Sequence, residues 1–534
     1  MLRVSQLKLP VEHKEADLKN KLCRLLRIKP QELTDYHIVR RSIDARKKPD
    51  IYYVYTIDAE TTKEEKILAN RKLTNVARAK EAEYQFPAPG RQEMTERPVI
   101  VGSGPAGLFC AYMLASHGYR PILLEMGEEA AVRKQKIDSF WAGNALDKKC
   151  NVQFGEGGAG TFSDGKLNTS VKDRSGRNHK VLELFVKAGA PEKILYEAKP
   201  HLGTDQLIII VQNLRNSIIA MGGEVHFRAK VTDLHIKKGE IQAVETEDGR
   251  IFHTHTLVLA VGHSSRDTFG LLYRRGMHMM AKPFAVGVRV VHPQAVINQS
   301  QYGIAKHAVL GAADYRLAHT VDTGRGVYSF CMCPGGYVVN ASSEEEMTAV
   351  NGMSYSGRDS AYANSAIVVT VTPEDYMQKA DSSMPDELQG IAFQRNLEGA
   401  AFRNGQGQVP VQRFADFCRQ EKSTGIAYGD FMKGNYHPSL INDIFPAEIT
   451  ASLQQGIRWF DRQIPGFAAG DTVLAGVESR TSSPVKMERN ELLESNIRGI
   501  YPCGEGAGYA GGITSAAIDG LKVAEEIAKK YMNF

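Results

Sequence analysis

Residues 97–125 read RPVIVGSGPAGLFCAYMLASHGYRPILLE, and no other stretch so narrows what this chain can fold into. Val99-Ile100-Val101 is an apolar run suited to a buried parallel strand. Gly102, Gly104 and Gly107 follow at the spacing G-x-G-x-x-G, with Ser103, Pro105 and Ala106 between them. Leu108 to His117 reads as a helix, Gly118 ends it, and Pro121 to Leu124 supplies the next strand, closed by Glu125. Strand, glycines, helix, strand and acid in that order make a βαβ unit with a phosphate site. Gly102 permits the tight turn, Gly104 lets a pyrophosphate reach the backbone, and Gly107 lets helix and strand pack closely. The helix N-terminus faces the phosphates, and Glu125 is placed to accept from ribose hydroxyls. The expectation is a bound dinucleotide; a purely structural tight turn is the alternative.

Two distant segments choose between FAD and NAD(P). Residues 500–520, IYPCGEGAGYAGGITSAAIDG, run from a short strand into Gly504-Glu505, then through Gly511, Gly512 and Ile513 into a helix from about Thr514. In two-dinucleotide-fold flavoproteins such a strand-Gly-acid segment closes over the flavin, and the positive end of the helix suits the charge that builds on the reduced ring. The usual acid there is Asp; this chain has Glu505. Residues 256–263, TLVLAVGH, add an apolar strand ending in Ala260 and Gly262. NAD(P) alone requires neither segment, so FAD is expected, held non-covalently. No second complete G-x-G-x-x-G unit follows a strand, so a separate NAD(P) domain is not expected, which leaves NAD(P)H compatible only as a transient electron donor.

Taken with Asn151–Leu167 (NVQFGEGGAGTFSDGKL), Lys199–Asp205, Ala260–Phe269, Tyr328–Gly336 and Glu478–Val485, these motifs resemble the bacterial uncharacterised FAD-dependent (NAD(FAD)-utilising) dehydrogenases. That family sits within the glutathione-reductase and hydroxybenzoate-hydroxylase-like flavoproteins. The resemblance runs from about residue 97 to the end. It implies FAD and a redox role but no substrate. It also places the second glycine-rich loop against the cofactor, with Gly158, Ala159, Thr161, Ser163, Asp164, Gly165 and Lys166 as contacts. An Arg in the region of Arg133 reaches the pyrophosphate in that class, and Val231 completes the cofactor set.

The chain has 534 residues, too many for one core. The fold class expected is α/β: a two-dinucleotide-binding, Rossmann-like FAD fold with an inserted mixed β-sheet substrate domain and a small N-terminal α+β domain. Residues 1–90 read β-α-β-β, the order of half a ferredoxin-like unit, and should be separable across the linker Phe86–Gly90. Residues 91–274 and 486–534 form the FAD domain, and 275–485 the insertion, rich in strand-like runs. Of a formal net charge of +5, residues 1–90 hold 19 Lys and Arg against 13 Asp and Glu. This basic bias reads as a solvated face more readily than a nucleic-acid arm, since no RNA-binding aromatic signature accompanies it.

Seven cysteines without disulfide-like spacing suit a reducing compartment. No apolar run approaches a membrane span, no signal-peptide core opens the chain, and no Cys/His cluster has zinc spacing, so a cytoplasmic protein with no metal is expected. Candidate catalytic residues are Arg480 and Ser482 in a polar strand-end loop, Cys331 and Cys333 two apart on a strand, and Lys166. Arg480 is suited to hold an anionic small-molecule substrate bidentately. The cysteines read first as buried structural residues and second as a dithiol facing the flavin. The leading reading of function is an FAD-dependent oxidoreductase passing hydride between flavin N5 and a small organic substrate. The alternatives are a flavin-dependent RNA-modifying enzyme and a non-enzymatic FAD-bearing sensor.

Overall fold

The computed structural model describes residues 1–80, 83–378, 381 and 383–534. At the N-terminus, β1 (Leu2–Pro10), α1 (Glu15–Leu26), β2 (Leu33–Lys47), β3 (Asp50–Thr61), α2 (Glu64–Leu68) and β4 (Val76–Arg78) build an antiparallel sheet in the order β2-β3-β1-β4. This is a complete split β-α-β unit, not half of one. The five-residue α2 is too short to give a periodic signal in sequence. In β1 a register shift between Val4 and Leu7 absorbs one residue, so Leu2, Val4, Leu7 and Leu9 all face α1.

The unit is tied to the rest of the chain. Val11 and Ile51 enter the core of the inserted domain. The backbone of Arg41 bonds Tyr196 and Ala198, and its guanidinium pairs with Glu197. The hairpin tip docks through Lys48 on the Ser300 carbonyl. The expected linker is a strap over two helix ends: Phe86 stacks at 3.8 Å on His117, which caps the helix Pro105–Ser116, and Gly90 N donates to Ala528 O of the C-terminal helix at 2.7 Å.

The cofactor domain centres on a five-stranded parallel sheet in the order Ile500–Pro502, Leu257–Leu259, β5 (Val99–Val101), β6 (Ile122–Leu124), Glu224–His226. The three segments that sequence singled out are therefore adjacent strands, and the three at Val99, Leu257 and Ile500 are wholly buried. Helix α3 (Pro105–Ser116) begins three residues before the predicted Leu108, with Pro105 at its first turn where a missing N–H costs nothing. It packs closely on the helix Ile513–Lys530: a Cβ on Gly520 would stand 2.3 Å from Ala106 O.

The insertion is a seven-stranded sheet, antiparallel except for one edge pair. Its order is Ala318–Thr320, Gly326–Cys333, Tyr362–Val371, Phe284–Pro293, Val473–Glu478, Val409–Arg413, Tyr436–Pro438. Met279–Ala281 pairs with Val485–Met487, so the chain leaves and rejoins the cofactor domain through one two-stranded ribbon.

Candidate functional site

Loops from the carboxyl ends of three parallel strands open into one cavity, the position at which open α/β sheets bind ligands. Gly102–Ala106 follow β5, Ala260–Ser265 follow Leu259, and Cys503 and Glu505 follow Pro502; all lie on its wall. Gly102 has φ +98°, and a Cβ there would meet Ala260 O at 2.3 Å, so this turn needs glycine. Gly104 differs. Its φ of −70° suits any residue, and a Cβ would meet only Gly158 Cα at 3.8 Å. Glycine there leaves open space, not a special backbone. Gly262, Gly511 and Gly512 likewise present bare backbone with nothing within 4 Å of a Cβ. Such a cradle fits a pyrophosphate.

Glu125 pins the cradle together. Its Oε2 accepts from Ser103 N at 2.9 Å and Ser103 Oγ at 2.6 Å, and Oε1 from Gly127 N at 2.9 Å and Gly155 N at 3.1 Å. Of these four donors only the Ser103 hydroxyl can rotate away and free the carboxylate for a ligand hydroxyl.

Arg133 does not reach the cavity. Its buried guanidinium donates to the carbonyls of Asn151, Val152, Gly155, Glu156 and Gly158 at 2.7–3.2 Å and lies 4.8 Å from the centre of the Phe162 ring. Five carbonyls of the second loop engage all three of its nitrogens, so it shapes that loop instead of binding pyrophosphate; burial pulls its pKa down to about 10. Held this way, the loop brings Gly158, Ala159, Ser163, Asp164, Gly165 and Lys166 to the wall, with Val231.

Several expected contacts lie behind the wall. Gly107 sits against Gly102 O, where a Cβ would come to 1.8 Å, and Gly504 against Ala106. Thr161 is buried under Gly157. Thr514 Oγ1 donates to Leu167 O at 2.7 Å, while its neighbour Ile513 is the residue that lines the cavity. Ser482 is half-buried and off the wall, which Thr481 occupies, and Cys333 is fully buried behind Cys331.

Arg480 reaches the wall, but its fork is already engaged. Nε and Nη2 bind Glu398 at 2.9 and 2.8 Å, and Nη1 donates to the Ser343 hydroxyl at 2.5 Å. Arg266 binds the other side of Glu398 at 2.7 and 2.9 Å. Burial alone would raise the Glu398 pKa, but the two guanidinium groups hold it well below the carboxylate range. Arg480 thus belongs to a buried Arg-Glu-Arg cluster, and the expectation of a guanidinium free to grip a substrate anion is corrected.

The insertion contributes Phe330, Cys331, Asn351 and Glu478 to the same cavity. Glu478 was not singled out from sequence. Its Oε2 accepts from Arg289 Nε at 2.7 Å, and no described residue bonds Oε1. Burial raises its pKa against the pull of Arg289. Arg289 itself, at the centre of FAVGVRVV, is a lone charge in an apolar strand, and that is the signal that can find this pair. His263 Nδ1 and Glu505 Oε1 meet at 3.1 Å on the opposite domain. Among the described residues no His, Cys, Asp and Glu cluster could hold a metal ion, and no helix is long and apolar enough to cross a membrane.

Comparison with known proteins agrees with this geometry. Residues 283–481 match the family described as FAD-dependent protein, C-terminal domain-like, and residues 100–147 an NAD(P)-binding Rossmann-like domain; residues 1–60 match a domain family of unknown function. The chain is an FAD-dependent flavoprotein with a Rossmann-like cofactor domain, and its cofactor is FAD. It is 44% identical over 537 residues to an uncharacterized protein of Clostridium beijerinckii, with 99% of each chain covered, and it belongs to the same family as that protein. Among solved structures it is similar to glycine oxidase from Bacillus cereus, at 13% identity over 82% of this chain and 96% of the other, with a TM-score of 0.31. L-amino acid deaminase from Proteus myxofaciens is similar at 12% identity, over 85% and 95%, with a TM-score of 0.35. At this distance the likenesses carry nothing about substrate.

Proposed function

We propose that the chain is an FAD-dependent oxidoreductase acting on a small polar organic molecule. The observation that carries this reading is that the phosphate cradle and the polar face of the inserted sheet, through Cys331, Asn351 and Glu478, line one cavity. Bound FAD supplies the two-electron acceptor or donor. The protein positions the substrate and handles the proton. Glu478 is held by Arg289 through Oε2, which leaves Oε1 to take a proton from a substrate N–H or O–H. A raised pKa keeps that carboxylate basic enough for the task. Ile513, at the start of its helix, lines the same cavity, so the positive helix end meets negative charge developing there.

The nucleic-acid reading loses support from the N-terminal unit. Lys8 and Arg46 pair with Asp44, Arg41 with Glu197, and Lys63 with Glu32, and Lys48 is docked on Ser300. The test is anaerobic mixing of the flavoprotein with amines, amino acids, hydroxy acids and NAD(P)H, followed through the flavin's visible absorbance. One class should bleach it, and Glu478→Gln should slow that bleaching about 10²–10⁴-fold with flavin content unchanged. A flavin that dithionite reduces but no organic donor does contradicts the proposal.

A further inference from the structure

The strand Gly326–Cys333 loses register with Tyr362–Val371 between Phe330 and Cys333. Cys331, inside that irregularity, has φ +45°, a left-handed conformation uncommon outside glycine. Strained backbone of this kind recurs at functional sites. On a regular strand, same-face neighbours stand ~6.5–7 Å apart, at the edge of what a disulfide spans. Here the regular repeat is broken, and the Cys333 thiol donates to the Cys331 carbonyl at 3.3 Å.

The pair is asymmetric. Cys331 lies half-buried on the cavity wall, and Cys333 is fully buried behind it. Arg289 Nη1 donates to Cys331 O at 2.8 Å and stands 3.9 Å from Cys333 Sγ. Lys166, from the second glycine loop, donates to the carbonyl of Met332 between them. The neighbouring Cys333, opposed by burial and aided by Arg289 and Lys166, lowers the Cys331 thiol, whereas burial drives Cys333 up. One sulfur thus faces the cavity and the other stands in reserve behind it.

We propose that Cys331 and Cys333 form a redox-active pair that exchanges two electrons with the flavin bound in this cavity. In the oxidising direction their sulfurs join in one S–S bond, and both thiols lose their protons. The two electrons released reduce the oxidised flavin, which takes up two protons. The reverse direction reopens the bond and returns the flavin to its oxidised form. Only Cys331 lies on the cavity wall, so Cys333 serves to close the disulfide. The proposal rests on the FAD reading and adds a second electron store beside it.

The experiment is an anaerobic dithionite titration of the air-oxidised holoprotein, normalised to bound flavin. The wild type should consume four electrons per flavin, and Cys331→Ser and Cys333→Ser two each, since a dithiol is a two-electron couple. Alkylation followed by mass spectrometry gives an independent reading on the wild type: Cys331 and Cys333 should be protected in the oxidised protein and both labelled after reduction. Cys333→Ser should also leave Cys331 unable to close a disulfide, and raising the pH should then bring out a long-wavelength charge-transfer absorbance of its thiolate against the oxidised flavin that Cys331→Ser lacks. A flavoprotein that takes up two electrons, with both cysteines labelled when oxidised, overturns the dithiol alone. A protein without flavin overturns the FAD reading and this proposal with it.

Discussion

Glu398→Gln is the sharpest test of how the inserted sheet is fastened over the cofactor domain. The carboxylate is fully buried between Arg266, from the segment after the Leu257–Leu259 strand, and Arg480, from the end of the insertion. It accepts four guanidinium bonds of 2.7–2.9 Å and a fifth from Ser479 Oγ at 2.6 Å. Glutamine keeps the volume, but its NH₂ turns a donor toward one fork that needs an acceptor, and the two guanidinium groups lose their counter-charge. Breaking a buried pair this way costs about 3–5 kcal/mol, because an uncompensated charge stays behind. Urea unfolding followed by far-UV circular dichroism, with an Arg480→Gln/Glu398→Gln cycle, measures it. The double variant should cost clearly less than the sum of the singles, with a coupling of about 1–3 kcal/mol. A single-variant loss below about 1 kcal/mol, or strict additivity, refutes the reasoning. The same cluster predicts that Arg480→Ala destabilises the protein before it alters any anion's affinity.

Gly104→Val should fold, because its backbone is ordinary, yet lose flavin at least about tenfold in affinity, or 1.4 kcal/mol, by filling the cradle; unchanged flavin retention on dialysis would misplace the phosphate site. Gly107→Ala should instead fail to fold, since its Cβ would stand 1.8 Å from Gly102 O, and soluble expression decides between them. Removal of residues 1–90 should give insoluble protein, because it uncovers the core that Val11 and Ile51 complete and strips the strap from the C-terminal helix; a soluble yellow truncation would show the unit is an accessory. The depressed folded pKa of Glu398 means that the unfolded chain binds more protons, so this stabilisation is complete above about pH 4.3 and is lost as pH falls toward the folded value. The stability gap between wild type and Glu398→Gln should therefore narrow below pH ~4 in denaturant titrations, and a constant gap would contradict the assignment.

The cofactor fold was legible in sequence because its signals are local. Glycines, a short apolar strand and an acid must lie near one another in the chain to make a βαβ turn, and the two remote strands carried the same punctuation. The roles of single polar residues were less legible. Arg133 and Arg480 were placed in the right region, but whether a guanidinium meets a ligand or a carbonyl depends on non-local partners, here the 151–158 loop and Glu398. Glu398 lies on the buried face of its helix with Ile391, Leu397 and Ala401, but the two guanidinium groups it meets come from segments far away in the chain. Arg289 and Glu478 leave a mark in sequence, charge within apolar strands. The docking of residues 1–90 escaped because Val11 and Ile51 flank ordinary turns, and their partners lie hundreds of residues away.

The account stands most directly on what the purified chain releases when denatured in acid. It predicts a yellow protein whose supernatant contains FAD, close to one per chain, with no flavin left in the pellet. FMN, no flavin, or flavin covalently retained by the precipitate would contradict it.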